Sequence, residues 1–434
     1  MILYQGKLYP SREQERLLKT LEGDVLTALA APTPGPEAVI AACDALAGEV
    51  LAGRYDAEIQ GLDLDPALRT AQVRAAAALL GRESLTAKFC QELGEGPFAP
   101  RWTASPGGAP GFWRRRAPLG VLLHIAAGNV DGLPAYSAVE GLLAGNVNIL
   151  KLPAGDNGLS VRLLQALTDR APALAERLFV FDTPSTDLGA MEAMARLADG
   201  IAVWGGEGAV SALRRLAPPG ARLIEWGHRL GFCYVTPAAL ASPAGEAGLT
   251  ALAGHVAETK QLLCSSLQTV FLDTEDFAQV EALAERFLPL LERAMAKYPV
   301  RDLGALGQRA LRRQTERLER WAGHPQDREK RLGRGCEVVL CRDRELECSD
   351  QFGSVLLKAL PRKELLPALR RSRGRLQTGG LLCTEEERPG LTGTLLSAGV
   401  VRVTGPGDMS RTTALDAHDG QSPLERYTRI VEYL

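Results

Sequence analysis

At 434 residues, with 46% apolar and 24% charged side chains, the chain has the make-up of an ordinary soluble globular protein and is too long for one hydrophobic core. A formal net charge of −2 excludes any general attraction to nucleic acid or to an anionic membrane surface. Met1-Ile2-Leu3-Tyr4-Gln5-Gly6-Lys7 lacks the basic-then-apolar order of a signal peptide, and no apolar run reaches the length of a membrane span, so two or three cytoplasmic domains are expected.

Residues 11 to about 92 place leucine, alanine and charge at helical spacing, broken by Pro32-Thr33-Pro34-Gly35-Pro36, and read as three packed helices. Residues 97–118 are rich in Gly and Pro with Trp102, Phe112 and Trp113 among them, which suits an extended hairpin arm. From Gly120 the pattern becomes strand then helix, repeated. The expected strands are 121–126, 147–152, 178–181, 201–204 and 222–226, with helices over 133–144 and 159–167 between them. Near-continuous apolar strands alternating with helices predict an α/β fold with a parallel, doubly wound sheet of the dinucleotide-binding kind. A second α/β region starts at Phe232 and runs to about Val400. Within it residues 309–331, with eight Lys or Arg and four Asp or Glu, read as one solvated amphipathic helix. The domains expected are 1–230 with the 97–118 arm, 231–400, and a C-terminal segment over 401–434.

Eight cysteines stand at 43, 90, 233, 264, 336, 341, 348 and 383, with no Cys-x-x-Cys pair. Neither a disulfide framework nor a tetrahedral zinc site fits that scatter, so no metal is expected. Cys264 is the exception in context. It sits between the helical spacing of Leu249, Leu252, Ala253, Val256 and Leu263 and a short strand over 268–272, where Lys260, Ser265 and Ser266 offer polar surroundings to a thiolate. Taken alone, a small buried apolar side chain is the commoner use of such a cysteine.

No GxGxxG follows the first strand. In its place stand Leu123-His124-Ile125-Ala126-Ala127-Gly128-Asn129-Val130 and Leu143-Ala144-Gly145-Asn146-Val147-Asn148-Ile149-Leu150-Lys151-Leu152, then Trp204-Gly205-Gly206 opening a helix, where an anion could approach backbone amides. Gly227-His228-Arg229-Leu230, Cys264-Ser265-Ser266 and His418-Asp419-Gly420 complete the set. Their order, from about Ala117 to the C-terminus, resembles the aldehyde dehydrogenase superfamily, and most closely its acyl-CoA reductase branch typified by the LuxC subunit of bacterial bioluminescence.

The resemblance implies a Rossmann-type cofactor domain, a catalytic domain and a small bridging arm. It makes Cys264 the nucleophile, gives Asn129 to an oxyanion hole, and sets Lys151 with Gly205 and Gly206 at the cofactor. Asp350, in Ser349-Asp350-Gln351-Phe352-Gly353, stands where the superfamily has a glutamate on the nicotinamide ribose, one methylene shorter. Glu225 falls near the superfamily's water-activating glutamate, but Glu-Leu-Gly-Gly-Lys is replaced by Glu225-Trp226-Gly227-His228-Arg229. That departure makes His228 the better proton carrier. The implied reaction is NADPH-dependent reduction of an acyl thioester, such as fatty acyl-CoA, to the aldehyde, with NADH as the other cofactor to consider. It also implies a homo-oligomer and leaves room for a LuxE-like acyl-protein synthetase as partner. The alternatives are a hydrolytic aldehyde dehydrogenase or a γ-glutamyl-phosphate reductase on the same fold, and a non-catalytic acyl-binding subunit.

Overall fold

The computed structural model describes residues 1–62, 64–108, 110–128, 131–323 and 328–434. They form two compact units, Met1–Gly227 with Thr413–Leu434, and His228–Thr412.

In the first unit the strands are β1 (Ile2–Tyr4), β2 (Lys7–Tyr9), β3 (Arg101–Thr103), β4 (Phe112–Pro118), β5 (Val121–Ile125), β6 (Val147–Lys151), β7 (Leu178–Phe181), β8 (Gly200–Trp204) and β9 (Arg222–Trp226). Seven of them make one sheet in the order β2-β1-β7-β6-β5-β8-β9, in which β5 to β9 are parallel and the β1–β2 hairpin joins β7 antiparallel. Every residue of β5, β6, β7 and β8 is buried, as expected of parallel strands covered on both faces. Alternation along a strand divides its side chains between two cores. Val147 and Ile149 join Leu17, Leu21, Val25, Met191 and Met194 on one face, while Leu150 and Leu152 join Val39, Leu46, Leu142 and Leu164 on the other.

The N-terminal region is more divided than three helices. It contains Gln14–Ala30, Pro36–Leu51, Asp56–Gln60, Arg69–Leu80 and Arg82–Leu93, and two short strands precede them. The break at the proline run stands where expected, with Pro36 opening the second helix, a position where its missing N–H costs nothing.

Backbone contacts explain the Gly-Asn-x-Asn stretch ahead of Lys151. Asn146 accepts from Gly120 N–H and donates to Tyr427 O, while Asn148 accepts at Oδ1 within 2.9 Å of the buried His124 ring. A Cβ on Gly141 would lie 1.8 Å from that same Oδ1, so only glycine lets helix Leu133–Leu143 pack this close to β6. This polar knot fixes the two loops that bracket β5 and β6.

The second unit has β10 (Leu230–Val235), β11 (Leu267–Leu272), β12 (Arg328–Gly333), β13 (Cys336–Cys341), β14 (Ser354–Ala359), β15 (Leu376–Leu382) and β16 (Arg402–Thr404), in the order β12-β13-β14-β11-β10-β15-β16. All pairings are parallel except β12 with β13. Phe232, Tyr234 and Phe271 pack against Leu365, Leu369, Leu391 and Leu395 from the helices Arg362–Arg370 and Arg388–Ala398. The basic stretch is a helix only over Leu303–Trp321. Residues 328–331 belong instead to the edge strand β12, and Leu303, Leu311, Leu318 and Trp321 are exposed.

Finally β17 (Thr428–Tyr433) pairs antiparallel with β4, and β4 with β3, so the 97–118 arm and the chain's last strand share a three-stranded sheet.

Candidate active site

In the first unit topology marks a candidate cofactor region. The five parallel strands of the first unit run in the order β7-β6-β5-β8-β9, so successive connections leave β5 in opposite directions, and ligands of such sheets bind at the carboxyl ends beside that switch point. Lys151 closes β6 there, in register with Ile125 of β5 and Phe181 of β7. Its side chain is buried, with Nζ donating to Ser185 Oγ at 2.8 Å, and burial pulls its pKa below the ordinary lysine value. Among the described residues no carboxylate pairs with it. A buried cation matched only by a hydroxyl is a place prepared for an anionic or hydroxyl-bearing ligand.

Gly205 and Gly206 follow β8. Gly206 is the N-cap of helix Glu207–Leu216 without a side-chain cap, and a Cβ on it would meet nothing within 4 Å, so the first-turn backbone is open on that side. Nearby, the His418 ring stacks 4.8 Å from Trp204 and 4.9 Å from Trp226, tying the chain's last segment to the ends of β8 and β9. Glu225 is held by both Nε and Nη2 of Arg214, at 2.7 and 2.8 Å. Asn129 lies outside the described residues.

In the second unit the candidate nucleophile stands on the loop between helix Ala244–Thr259 and β11. The helix ends with two non-glycine residues in the left-handed region, Lys260 (φ 50°) and Gln261 (φ 64°), so the chain turns sharply before Cys264. Gln261 is wholly buried. Its Nε2 donates to Leu267 O, Ser349 Oγ and Ser354 O at 2.8, 3.1 and 2.8 Å, and its Oε1 accepts from Gly353 N–H at 2.9 Å. Phe352 N–H donates to Lys260 O at 3.0 Å. Gln268 completes the latch, taking Ser349 N–H and Oγ–H on Oε1 and giving Nε2–H to Gln261 O. The Cys264 loop and the Ser349–Ser354 loop therefore form one hydrogen-bonded body.

Cys264 itself is half-buried, and Gln377 Nε2 donates to its Sγ at 3.2 Å. Next to it, Ser265 Oγ is 2.9 Å from Ser410 Oγ. Most of the other cysteines are poor nucleophiles. Cys43, Cys233, Cys336 and Cys341 are buried, and burial pushes the thiols of Cys43 and Cys336 up to about 12 and that of Cys341 to about 11.

His228 and Asp350, the other expected residues of this unit, have partners of their own. His228 Nε2 is 3.1 Å from Cys348 Sγ, a thiol that burial raises above its ordinary pKa. Asp350 is ion-paired with Arg312. Cys341, Asp343 and Glu347 bring their donor atoms close enough to hold a metal, but Lys358 Nζ is bonded to both carboxylates and supplies the positive charge there. Gln261, Gln377 and Arg312 were not singled out by sequence. The one signal was a polar glutamine inside the apolar run Leu376-Gln377-Thr378-Gly379-Gly380-Leu381-Leu382.

The architecture is that of the aldehyde dehydrogenases. An NAD-dependent aldehyde dehydrogenase from Sinorhizobium meliloti superposes with a TM-score of 0.76 over 100% of this chain and 94% of that one at 16% identity, and PnpE from Pseudomonas sp. WBC-3 with 0.71 over 96% and 89% at 15%. Within that class the match becomes specific: residues 37–430 fit the family model Acyl-CoA reductase (LuxC), and the chain belongs to this family. Two proteins called long-chain acyl-protein thioester reductase, from Photorhabdus luminescens and Photorhabdus laumondii, are 26% and 31% identical over 162 and 160 residues. Each alignment covers 36% of this chain and 32% of the relative, so the matched part spans about a third of the relatives' length.

Proposed function

We propose that the chain reduces an acyl thioester to an aldehyde with a nicotinamide cofactor, passing the acyl group through Cys264. The observation that carries this reading is the half-buried Cys264 sulfur, hydrogen-bonded by Gln377 on a loop locked by Gln261, in a member of the LuxC family. The Cys264 thiolate attacks the thioester carbon, the sulfur–carbon bond to coenzyme A breaks, and coenzyme A leaves as thiolate. Asn129, by its place in the motif, and the Cys264 backbone amide are the donors for the oxyanion. NADPH, when bound, supplies the two electrons and the hydrogen that reach the acyl carbon. The resulting oxyanion takes a proton from His228 to give the thiohemiacetal and returns it to His228 as the carbon–sulfur bond breaks, and aldehyde and free thiolate result. His228 is the proposed carrier of that proton.

The residues of the first unit fit such a cofactor. Lys151, buried with no carboxylate partner among the described residues, would hold its ribose or phosphate, with Gly205 and Gly206 beside it. Asp350 would reach the nicotinamide ribose after Arg312 gives way or moves with it. Glu225, held by Arg214, has its oxygens engaged, which favours acyl transfer without water over hydrolysis. A long acyl chain on coenzyme A or on a donor protein is the proposed substrate, as the names of the Photorhabdus relatives support. The exposed Trp102, Trp113 and Ile430 on the β3-β4-β17 sheet support a homo-oligomer.

The test is a balance of products. With a long-chain acyl-CoA, loss of NADPH absorbance at 340 nm should equal free coenzyme A thiol and aldehyde, one for one. Lys151→Met should raise the KM for NADPH about tenfold while leaving coenzyme A release in the first turnover intact, as loss of one charged contact implies. Carboxylate in place of aldehyde, or no oxidation of either NADPH or NADH, contradicts the proposal.

A further inference from the structure

We infer that Gln377 is a catalytic residue, an uncharged hydrogen-bond donor that keeps Cys264 as thiolate. This rests on the reading of Cys264 as the acyl acceptor. The contact is direct, Nε2 to Sγ at 3.2 Å, and Gln377 is 8% exposed. A hydrogen bond given to the ionised form favours that form, and it counts for more where water is excluded.

The backbone explains why this side chain reaches the sulfur. β10 pairs on one side with β15 and on the other with β11, and both ladders break register at the same level. Leu230 is opposite Leu376 but Phe232 is opposite Gly379, so Gln377 and Thr378 stand against Gly231 alone. Gly231 is opposite Leu267 but Phe232 is opposite Thr269, which leaves Gln268 as the extra residue. An extra residue in a strand re-aims its side chain, and such bulges gather beside active sites. Here one bulge aims Gln377 at Cys264 and the other aims Gln268 into the latch on Gln261. Gly231, between them, has no room for a side chain: a Cβ would lie 2.5 Å from Ser266 O and 2.7 Å from Ser265 O. Thus the turn carrying the nucleophile lies directly on β10, within reach of a side chain from the neighbouring strand.

The titratable and charged groups on the segments around this loop are His255 and Glu258 on the preceding helix, Lys260, His228 and Arg229 ahead of β10, Asp350, paired with Arg312, on the Ser349–Ser354 loop, Arg375 ahead of β15, Arg402 on β16, and Asp408 with Arg411 beside Ser410. They stay in place when Gln377 alone is changed, so a variant series isolates the amide. An amide also has no titration of its own near neutrality, so the activation it gives persists across the working pH range.

The experiment is the pH profile of Cys264 alkylation by iodoacetamide in the full-length protein, read by peptide mass so that the other seven cysteines do not interfere. Gln377→Met keeps the length and removes the donor; Gln377→Glu keeps the shape and turns a donor into a charged acceptor. The midpoint should rise from wild type to Met to Glu, with alkylation at pH 7 about tenfold slower in Met and slower still in Glu, and the rates converging above pH 10. Coenzyme A release from acyl-CoA at pH 7 should fall in the same order. A merely structural glutamine would leave the midpoint in place in whichever variant folds, and equal midpoints in wild type and either folded variant overturn the inference. If the order holds but acyl-CoA leaves no group on Cys264 in wild type, the donor role stands and the acyl-transfer reading fails.

Discussion

Gln261 shows how much one buried polar side chain can decide. Its amide satisfies two backbone carbonyls, a hydroxyl and a backbone N–H, on both the Cys264 loop and the Ser349–Ser354 loop. Removing it takes this buried partner from two carbonyls and an N–H, each a loss of about 1–3 kcal/mol, while Ser349 Oγ keeps its bond to Gln268. Gln261→Met, unbranched and of similar length, should therefore lower stability in urea by about 3 kcal/mol or more. A change under about 1 kcal/mol would mean that water or a shift of the loops replaces the latch. At this scale Cys264 and Lys151 stand out in the sequence because local motifs carry them, whereas Gln377 does not. Its reach to the sulfur depends on a register break between strands that begin 146 residues apart, at Leu230 and Leu376, and no local pattern encodes that.

At the scale of elements, the helix Ala244–Thr259 is fastened to the first residue of β11 through His255, whose Nε2 accepts Leu267 N–H at 3.2 Å. Burial lowers the pKa of His255 to about 4, below its ordinary value of 6.5, and a protonated ring could not accept that bond. The stability it gives is complete above pH 6.5 and is lost as pH falls toward 4, by about 1.4 kcal/mol per pH unit. In the first unit His124, also lowered to about 4 by burial, acts the same way, but Glu140, raised to about 7 by burial, acts oppositely between its ordinary 4.5 and 7. Hydrogen exchange at pH 7.0 and 5.0 should thus show β11 peptides losing more protection, after correction for intrinsic rates, than β5 and β6 peptides. Equal losses would contradict this assignment. The strands β5 to β9 were readable within a residue or so because parallel strands are continuously apolar. β1 and β2 were missed because three residues show no period. The basic helix was read too long because edge strand β12 carries the same dense charge, a common property of strands that must not pair further.

For the molecule as a whole, the order of strands in the first unit, the two-loop body around Cys264 in the second and the family match each support the proposed chemistry. Fold class was legible because alternation of strand and helix is repeated along the chain, while the return of residues 413–434 to the first unit depends on the pairing of β17 with β4, which only the folded chain reveals. The most direct measurement of the central claim is intact-mass and peptide mass spectrometry after mixing the protein with a series of acyl-CoAs in the absence of any nicotinamide. The account predicts a single acyl adduct on Cys264, absent in Cys264→Ala and discharged when NADPH is added. No adduct with any chain length, or an adduct on another cysteine that persists in Cys264→Ala, would contradict it.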